Sequence, residues 1–592
     1  MLKRTELNQQ QLITEKKGFI RHIPFLLSLL IFLIVIYDLG FDQDASAENI
    51  IRNIYNIYLA AAVLFFLTRL FLTKHQYPGK VLIFDILILA FLLFIISNVY
   101  GLLHIPALDD VRWRYLAVFL VFIRELFTID ISTSGRYVNP AQLFILSFLA
   151  IIFTGTILLL LPNSTHSGIS FTDALFTSTS AVCVTGLIVV DTGSYFTLFG
   201  QTIIMLLIQM GGLGIMTFTS YFSYFFKGGA TYENQLLLGE IINAERIADV
   251  FSTLKRIIIV TFIIEAIGAV FIFSFLDKSI MPAFSEQFFF SIFHTVSGFC
   301  NAGFSTLTNS FYETGFRFNY PLHLTIAALF ITGGIGFPIL FNSFKYVRHF
   351  IVNRLTPFLR RKPVVHLPWV ININTRLVVI TSLVLIISGT AFFYIAEYNN
   401  TLADHKGFGK VVTAFFGAVT PRTAGFNTVD TSSLHFSTIM IIIFLMWVGA
   451  SPASTGGGIK TSTLAISILN LASVARGKNR LELFRREIAG SSIQRAFAII
   501  SLSILMIGIS VFLIASLEPD MDLMAITFEC FSAFSTVGLS QGITGNLKEA
   551  SKIVIIFTMF IGRVSMLTIL VAVIKKVKNM NYRYPAEEVL IN

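Results

Sequence analysis

Phe176-Thr-Ser-Thr-Ser-Ala-Val-Cys-Val-Thr-Gly186-Leu187 is a segment that returns three more times in this chain. The second copy is Phe293-His-Thr-Val-Ser-Gly-Phe-Cys-Asn-Ala-Gly303-Phe304, and the third is Phe415-Phe-Gly-Ala-Val-Thr-Pro-Arg-Thr-Ala-Gly425-Phe426. The fourth is Phe528-Glu-Cys-Phe-Ser-Ala-Phe-Ser-Thr-Val-Gly538-Leu539. In each, a Phe stands ten residues before a Gly, and Leu or Phe follows. The glycines are spaced by 117, 122 and 113 residues. A period of that length in apolar sequence predicts four tandem membrane units. Four such loops can surround one axis and line an ion path with backbone carbonyls.

Working outward, the 592 residues are 55% hydrophobic and 13% charged. Soluble domains carry about 25% charged residues, so the bulk of this chain is built for lipid. The net charge of +10 does not form the basic face on a soluble domain that nucleic acid needs. Three cysteines cannot supply a disulfide framework and read as reduced thiols.

About twelve spans are expected. Four precede the repeats, near 24–38, 54–72, 81–100 and 113–130, each about long enough for a ~30 Å hydrocarbon core. Each repeat then reads span, loop, span. The first spans lie near 141–161, 256–276, 376–396 and 496–516, and the second spans near 198–224, 318–344, 434–472 and 551–574. Lys3, Arg4, Lys16, Lys17 and Arg21 lead a basic set. Lys345, Arg348, Arg354, Arg360, Arg361 and Lys362 continue it, then Arg476, Lys478, Arg480, Arg485 and Arg486, and last Lys575, Lys576, Lys578 and Arg583. These ends are assigned to the cytoplasm and the Gly-bearing loops to the other face, with both termini inside. Ala45-Ser46-Ala47 resembles a signal-cleavage site, but Asp38, Asp42 and Asp44 intervene and it lies too far along the chain.

In the loops, Ser180, Ser297 and Ser532 stand six residues before the Gly, while repeat three has Val419 there with Thr420 beside it. A short helix ending near these hydroxyls would present its partially negative C-terminus to a cation. Gly186, Gly303, Gly425 and Gly538 allow backbone angles that turn successive carbonyls to one side. Irregular backbone at membrane depth must be buried or line a path. The competing reading is a set of external re-entrant hairpins.

Residues 180–187, 301–304, 421–427 and 535–539 together are similar to the four filter loops of the potassium-translocating subunits of bacterial Trk/Ktr-type uptake systems. The nearest resemblance is to the sodium-associated Ktr branch, over roughly 140–575. It implies an all-α integral membrane protein with four span–P-loop–span repeats around a central pore, plus about four extra N-terminal helices. It also implies a filter formed by Val184, Thr185, Gly186, Asn301, Ala302, Gly303, Thr423, Ala424, Gly425, Thr536, Val537 and Gly538. Potassium is the implied substrate, held at the filter carbonyls, with sodium as co-ion or activator and no covalently bound cofactor. With one filter Gly per repeat, discrimination between the two ions is expected to be modest.

The second span of repeat three is too long for one crossing and contains Gly449-Ala-Ser-Pro-Ala-Ser-Thr-Gly456-Gly457-Gly458-Ile459-Lys460. A Pro and three glycines cannot sustain a helix. The resemblance implies a gating loop here, Gly456, Gly457, Gly458 and Lys460 included; the plain reading is a packing kink. Gly211-Gly212-Leu213-Gly214 and Gly333-Gly334-Ile335-Gly336 are read as sites of close helix packing. Arg563, alone in the last span, is expected to face a bundle interior or cavity; the resemblance implies a place near the gating loop, where its charge would slow cation passage, and a snorkelling or paired Arg is the alternative. Glu529 and Arg422 are expected to pair behind the filter. Cys183, Cys300 and Cys530 lack the companions of a metal site and read as packing. At the N-terminus, Asp85, Arg112, Arg114 and Arg124 suggest a voltage sensor in outline, but an accessory packing or assembly bundle is favoured.

The domains assigned are 1–139 (accessory region), 140–227 (repeat 1), 228–345 (loop and repeat 2), 346–473 (loop and repeat 3 with the gate) and 474–592 (repeat 4 and tail). The expected function is uptake of monovalent cations, potassium first, across a bacterial inner membrane and driven by membrane potential. The resemblance implies a homodimer and a separate cytoplasmic nucleotide-binding regulatory ring, docking on 228–256 and 345–376. Alternatives are the potassium-binding subunit of an ATP-driven pump and a membrane-embedded enzyme. The latter would need clustered His, Asp or Glu, with His294 as a candidate; no enzyme activity is expected.

Overall fold

The structure, a computed structural model, describes residues 23–73, 79–126, 140–214, 250–360, 372–478, 480–564 and 569–570. The basic terminal clusters, most of loop 228–256 and residues 361–371 lie outside this set.

Four helices come first: α1 (Ile23–Gly40), α2 (Ala45–Thr73), α3 (Gly79–Val99) and α4 (Arg112–Leu126). Their facing residues form a core of their own, including Tyr55, Leu59, Phe66, Leu92 and Val118. Several polar groups inside it are paired. Arg124 is fully buried and grips Asp85 with Nε at 2.5 Å and Nη2 at 3.0 Å. Arg69 meets Glu125 at 2.8 Å. Tyr55 and Tyr115 both donate to Asp38. Arg112 sits at the exposed helix end beside Asp110. The charges form one deep pair with Asp85 and a second near Glu125, while Arg114, buried in the same helix as Arg124, has Nε and Nη1 without a hydrogen-bond partner among the described residues. Asn163 of the first repeat donates to the Leu39 carbonyl, which ties the bundle to the repeats.

Each repeat opens on a long apolar helix: α5 (Pro140–Leu159), α8 (Val250–Phe275), α12 (Ile373–Ala396) and α16 (Gly490–Leu517). A short helix follows: α6 (Phe171–Val182), α9 (Phe284–Cys300), α13 (Phe408–Val419) and α17 (Leu523–Ser535). At 1.5 Å per residue these short helices reach about 18–26 Å, less than a hydrocarbon core of ~30 Å. Two of their starts are set by capping side chains. Ser170 caps α6 through the Asp173 amide, and Asp522 caps α17 through that of Ala525. The second spans are α7 (Leu198–Leu213), α10 (Tyr320–Ile335) running into α11 (Phe337–Arg360), α14 (Phe436–Trp447) followed by α15 (Thr461–Ala475), and α18 (Glu549–Val564). Among the described residues six helices are each long and apolar enough to cross a membrane.

Two expectations change here. The second span of repeat two is not one rod: α10 and α11 meet at 105°. Gly336 makes the corner with φ +90°, and a β carbon there would press on the Pro452 carbonyl. Of the two Gly clusters, close packing holds for Gly211, Gly212 and Gly333, but Gly336 is a hinge. Between repeats three and four the chain also forms a small hairpin, Glu482–Leu483 against Arg486–Glu487, turned by Phe484 and Arg485 at positive φ. It is the one strand pair among the described residues of an otherwise helical fold.

The pair Asp85–Arg124 gives a direct test. Breaking a buried pair leaves one bare charge and costs about 3–5 kcal/mol, whereas replacing both partners by apolar residues is often neutral. Arg124→Leu alone should therefore lower the unfolding temperature in detergent clearly, and adding Asp85→Leu should recover most of the loss.

Candidate ion pathway

The four repeated loops close into a ring. All four glycines have positive φ: Gly186 +86°, Gly303 +72°, Gly425 +75° and Gly538 +91°. A β carbon built on each would collide with a carbonyl of the next repeat. Gly186 would strike the oxygen of Ala302, Gly303 that of Ala424, Gly425 that of Val537 and Gly538 that of Thr185. The order runs through all four repeats and returns to the first. Two residues before each Gly the backbone is left-handed again, at Val184 (+57°), Asn301 (+62°), Thr423 (+73°) and Thr536 (+50°). Positive φ is costly for β-branched Val and Thr, so the surroundings must hold it.

What holds it is a hydroxyl behind each loop. Ser180 donates to the Leu187 carbonyl (2.7 Å) and accepts from the Gly186 amide (3.1 Å). Ser297 donates to Phe304 (2.7 Å). Ser532 accepts from the Gly538 amide (3.1 Å). In repeat three the hydroxyl is Thr420, donating to Phe426 (2.7 Å). This corrects the register expected from the aligned copies: Thr420 stands five residues before its Gly, so that loop is one residue shorter. The fully buried aromatic of that repeat is accordingly Phe416, matching Phe176, Phe293 and Phe528, and not Phe415.

The ring also rests on glycines of the second spans. Gly211, Gly333 and Gly562 each lie against the carbonyl four residues before a ring glycine, those of Val182, Phe299 and Phe534. Only hydrogen fits at these contacts.

Below the ring, α14 stops at Trp447 and α15 starts at Thr461, as the Pro and three glycines predict. The intervening strap docks on the α10–α11 corner, with Ser451 N–H donating to Gly334 and Phe337 N–H to Ala453. Arg563 donates through Nη1 to Thr455 O and through Nη2 to Gly211 O (2.5 Å). Lys460 turns back onto the carbonyls of Gly456 (2.6 Å) and Gly457 (3.4 Å). Gly449 and Gly457 touch across the strap, Gly449 having no room for a side chain.

Above the ring lies a cavity of about 350 Å³ whose lining includes Asp191, Asn427, Asp430, Gly538, Ser540 and Gln541. Partial burial works against ionisation of Asp430, but donation from Ser433 and Ser432 outweighs it and holds its carboxyl below the ordinary carboxylate range. An anion therefore stands at the mouth.

Glu529 and Arg422 do not form the expected pair. Glu529 instead takes Ser540, the Gln541 amide (3.2 Å) and Thr544 (3.0 Å), bracing the segment after the fourth loop. Arg422 donates to Ser382 (3.1 Å). Nearer hydroxyls satisfied the carboxylate first. Glu265 was missed. It is a buried acid in the middle of α8, bonded to Gln209 (3.2 Å), whose own oxygen accepts weakly from the Cys300 thiol (3.7 Å). Its signal was a lone charge in an apolar run. His294 is spent on the Phe290 carbonyl and Ser305.

A family model described as TrkH, cation transport protein, matches residues 118–583. The chain belongs to this family of cation transport proteins. It is a membrane transport protein and not an enzyme. It is 37% identical over 455 residues to the Ktr system potassium uptake protein B of Bacillus subtilis, covering 76% of this chain and 96% of that one. It is 34% identical over 466 residues to the potassium/sodium uptake protein NtpJ of Enterococcus hirae, covering 77% and 98%. The crystal structure of the potassium transporter TrkH from Vibrio parahaemolyticus shares the fold, with TM-score 0.57 at 15% identity over 87% of this chain and 96% of that one.

The register in repeat three is testable. Thr420→Val keeps the side-chain shape and removes the clamp, a loss of about 0.5–1.5 kcal/mol. Hydrogen exchange across 421–427 should quicken several-fold in that variant while 180–187 stays unchanged.

Proposed function

We propose that this transporter takes up potassium ions through the axis of the four-loop ring, driven by the membrane potential. The observation that carries the reading is the ring itself, in which each filter glycine leaves room only for the neighbouring repeat's carbonyl. Alternating left-handed residues turn consecutive carbonyls to one side, so a dehydrated cation finds oxygen ligands from all four quarters. Val184, Thr185, Gly186 and their counterparts Asn301, Ala302, Gly303, Thr423, Ala424, Gly425, Thr536, Val537 and Gly538 form the ion-binding filter. Asp191 and Asp430 raise the local cation concentration at the mouth. The relatives named for potassium uptake support potassium as cargo, and the one named for potassium and sodium supports sodium as a co-ion or activator.

The strap at Gly456, Gly457 and Gly458 is the gate. Arg563 pins it through Thr455, and with Lys460 places positive charge below the filter, where it opposes a cation. The mouth faces outward and both termini are cytoplasmic, in the inner membrane of a bacterium. The working unit is a homodimer, and a separate nucleotide-binding ring docks on 228–256 and 345–376.

Two measurements test this in liposomes holding the chain alone. Gly425→Ser should cut potassium flux at least tenfold or erase its preference over sodium, because the side chain has no room at φ +75°. Unchanged flux and selectivity would sink the ring as the pathway. Arg563→Gln should raise flux through the resting protein about tenfold, and an unchanged or lower value would remove Arg563 from the gate.

A further inference from the structure

Three consecutive strap residues meet three of the four left-handed filter residues, in chain order. Thr455 Oγ1 donates to Asn301 Oδ1 at 3.0 Å. Gly456 lies so near Thr423 Oγ1 that a β carbon would collide with it. The Gly457 amide donates to Thr536 Oγ1 at 2.9 Å. Asn301 Nδ2 also donates to Thr423 Oγ1 at 3.2 Å, joining two of the three. All three side chains are at most 1% exposed. Repeat one offers no such oxygen, because its residue is Val184.

We infer that Asn301 Oδ1, Thr423 Oγ1 and Thr536 Oγ1 form a second cation-binding layer beneath the carbonyl ring, occupied by the strap when the path is shut. This rests on the pore reading above. Monovalent cations are coordinated by oxygens, and two of these acceptors are spent on the strap's donors, Asn301 Oδ1 on the Thr455 hydroxyl and Thr536 Oγ1 on the Gly457 amide. The third, Thr423 Oγ1, accepts from Asn301 Nδ2 and is covered by the Gly456 backbone. Strap and ion compete for two lone pairs and for the space over the third. An ion that binds only the arrangement with the strap withdrawn shifts the equilibrium toward it by its differential affinity, and by reciprocity an open strap tightens ion binding. The permeant ion thus promotes its own passage. Filter and gate are one unit joined through side chains.

The experiment uses the full chain and two isosteric variants. Thr455→Val removes a strap donor and leaves every layer oxygen in place. Thr536→Val removes a layer oxygen while keeping the β-branched shape at positive φ, and Thr536→Ser restores the oxygen. The first readout is hydrogen exchange of the peptide spanning 453–460 in potassium or in N-methylglucamine, which needs no open pore. In the parent protein, potassium should speed exchange at least threefold. Thr455→Val should exchange faster in both salts and keep the potassium effect. Thr536→Val should exchange faster in both and lose the effect, and Thr536→Ser should regain it. The second readout is resting potassium flux, expected to rise about fivefold in Thr455→Val, the factor set by one lost hydrogen bond. Exchange indifferent to potassium in the parent, or a full potassium effect in Thr536→Val, overturns the layer. Gly538→Ser separates the two readings: if it leaves flux intact, the pore assignment fails first; if it abolishes flux while Thr536→Val still responds to potassium, only the layer fails.

Discussion

The whole architecture depends on four places where a hydrogen atom is all that fits. At Gly186, Gly303, Gly425 and Gly538 the carbonyl of the neighbouring loop occupies the position a side chain would need. Excluded volume at those corners lets four segments, scattered over hundreds of residues, approach closely enough to share one axis. Attraction between the loops is not the cause, since carbonyl oxygens facing a common centre repel. A hydroxyl behind each loop and a second-span glycine beneath three of them supply the restraint.

From that constraint the rest is graded by distance from the axis. Nearest are the short helices, whose C-terminal halves are buried on nearly every face and which stop part way across. Next come the broken second spans, whose unpaired backbone groups are satisfied by one another, by Arg563 and by Lys460, as backbone at such depth requires. Outermost are the four long first spans, rich in exposed Leu, Ile and Phe, which is what a lipid-facing surface needs. The four N-terminal helices have a separate core and separate buried charges, and meet the repeats through a contact such as Asn163 with Leu39.

Much of this is legible in the sequence. The recurrent Gly, its spacing and the small polar residues ahead of it announce four equivalent loops. Pro452 with Gly456, Gly457 and Gly458 announces the interrupted span. Legibility failed where two residues offered the same local chemistry. The Phe415–Phe416 doublet allows either register, and only packing selects Phe416 and with it Thr420. Gly333-Gly334-Ile335-Gly336 and Gly211-Gly212-Leu213-Gly214 look alike, yet the former bends the chain between two described helices because the strap of another repeat presses on Gly336. Opposite charges at Glu529 and Arg422 suggested a pair, but a carboxylate takes whichever donors the fold brings within reach, and those were Ser540 and Thr544. Such outcomes are settled by tertiary distance, which no spacing in one dimension encodes.

Val184 opposite Asn301, Thr423 and Thr536 has a wider meaning. Four identical subunits around an axis must carry the same residue at every corner, so any change there is made four times at once. A single chain that supplies all four corners is free of that obligation. It can keep the four backbone corners equivalent and let side chains depart from symmetry one quarter at a time. A one-sided attachment such as the strap, which belongs to repeat three alone, suits a ring built this way. Covalent linkage of the repeats is thus a licence for asymmetry as well as a means of assembly.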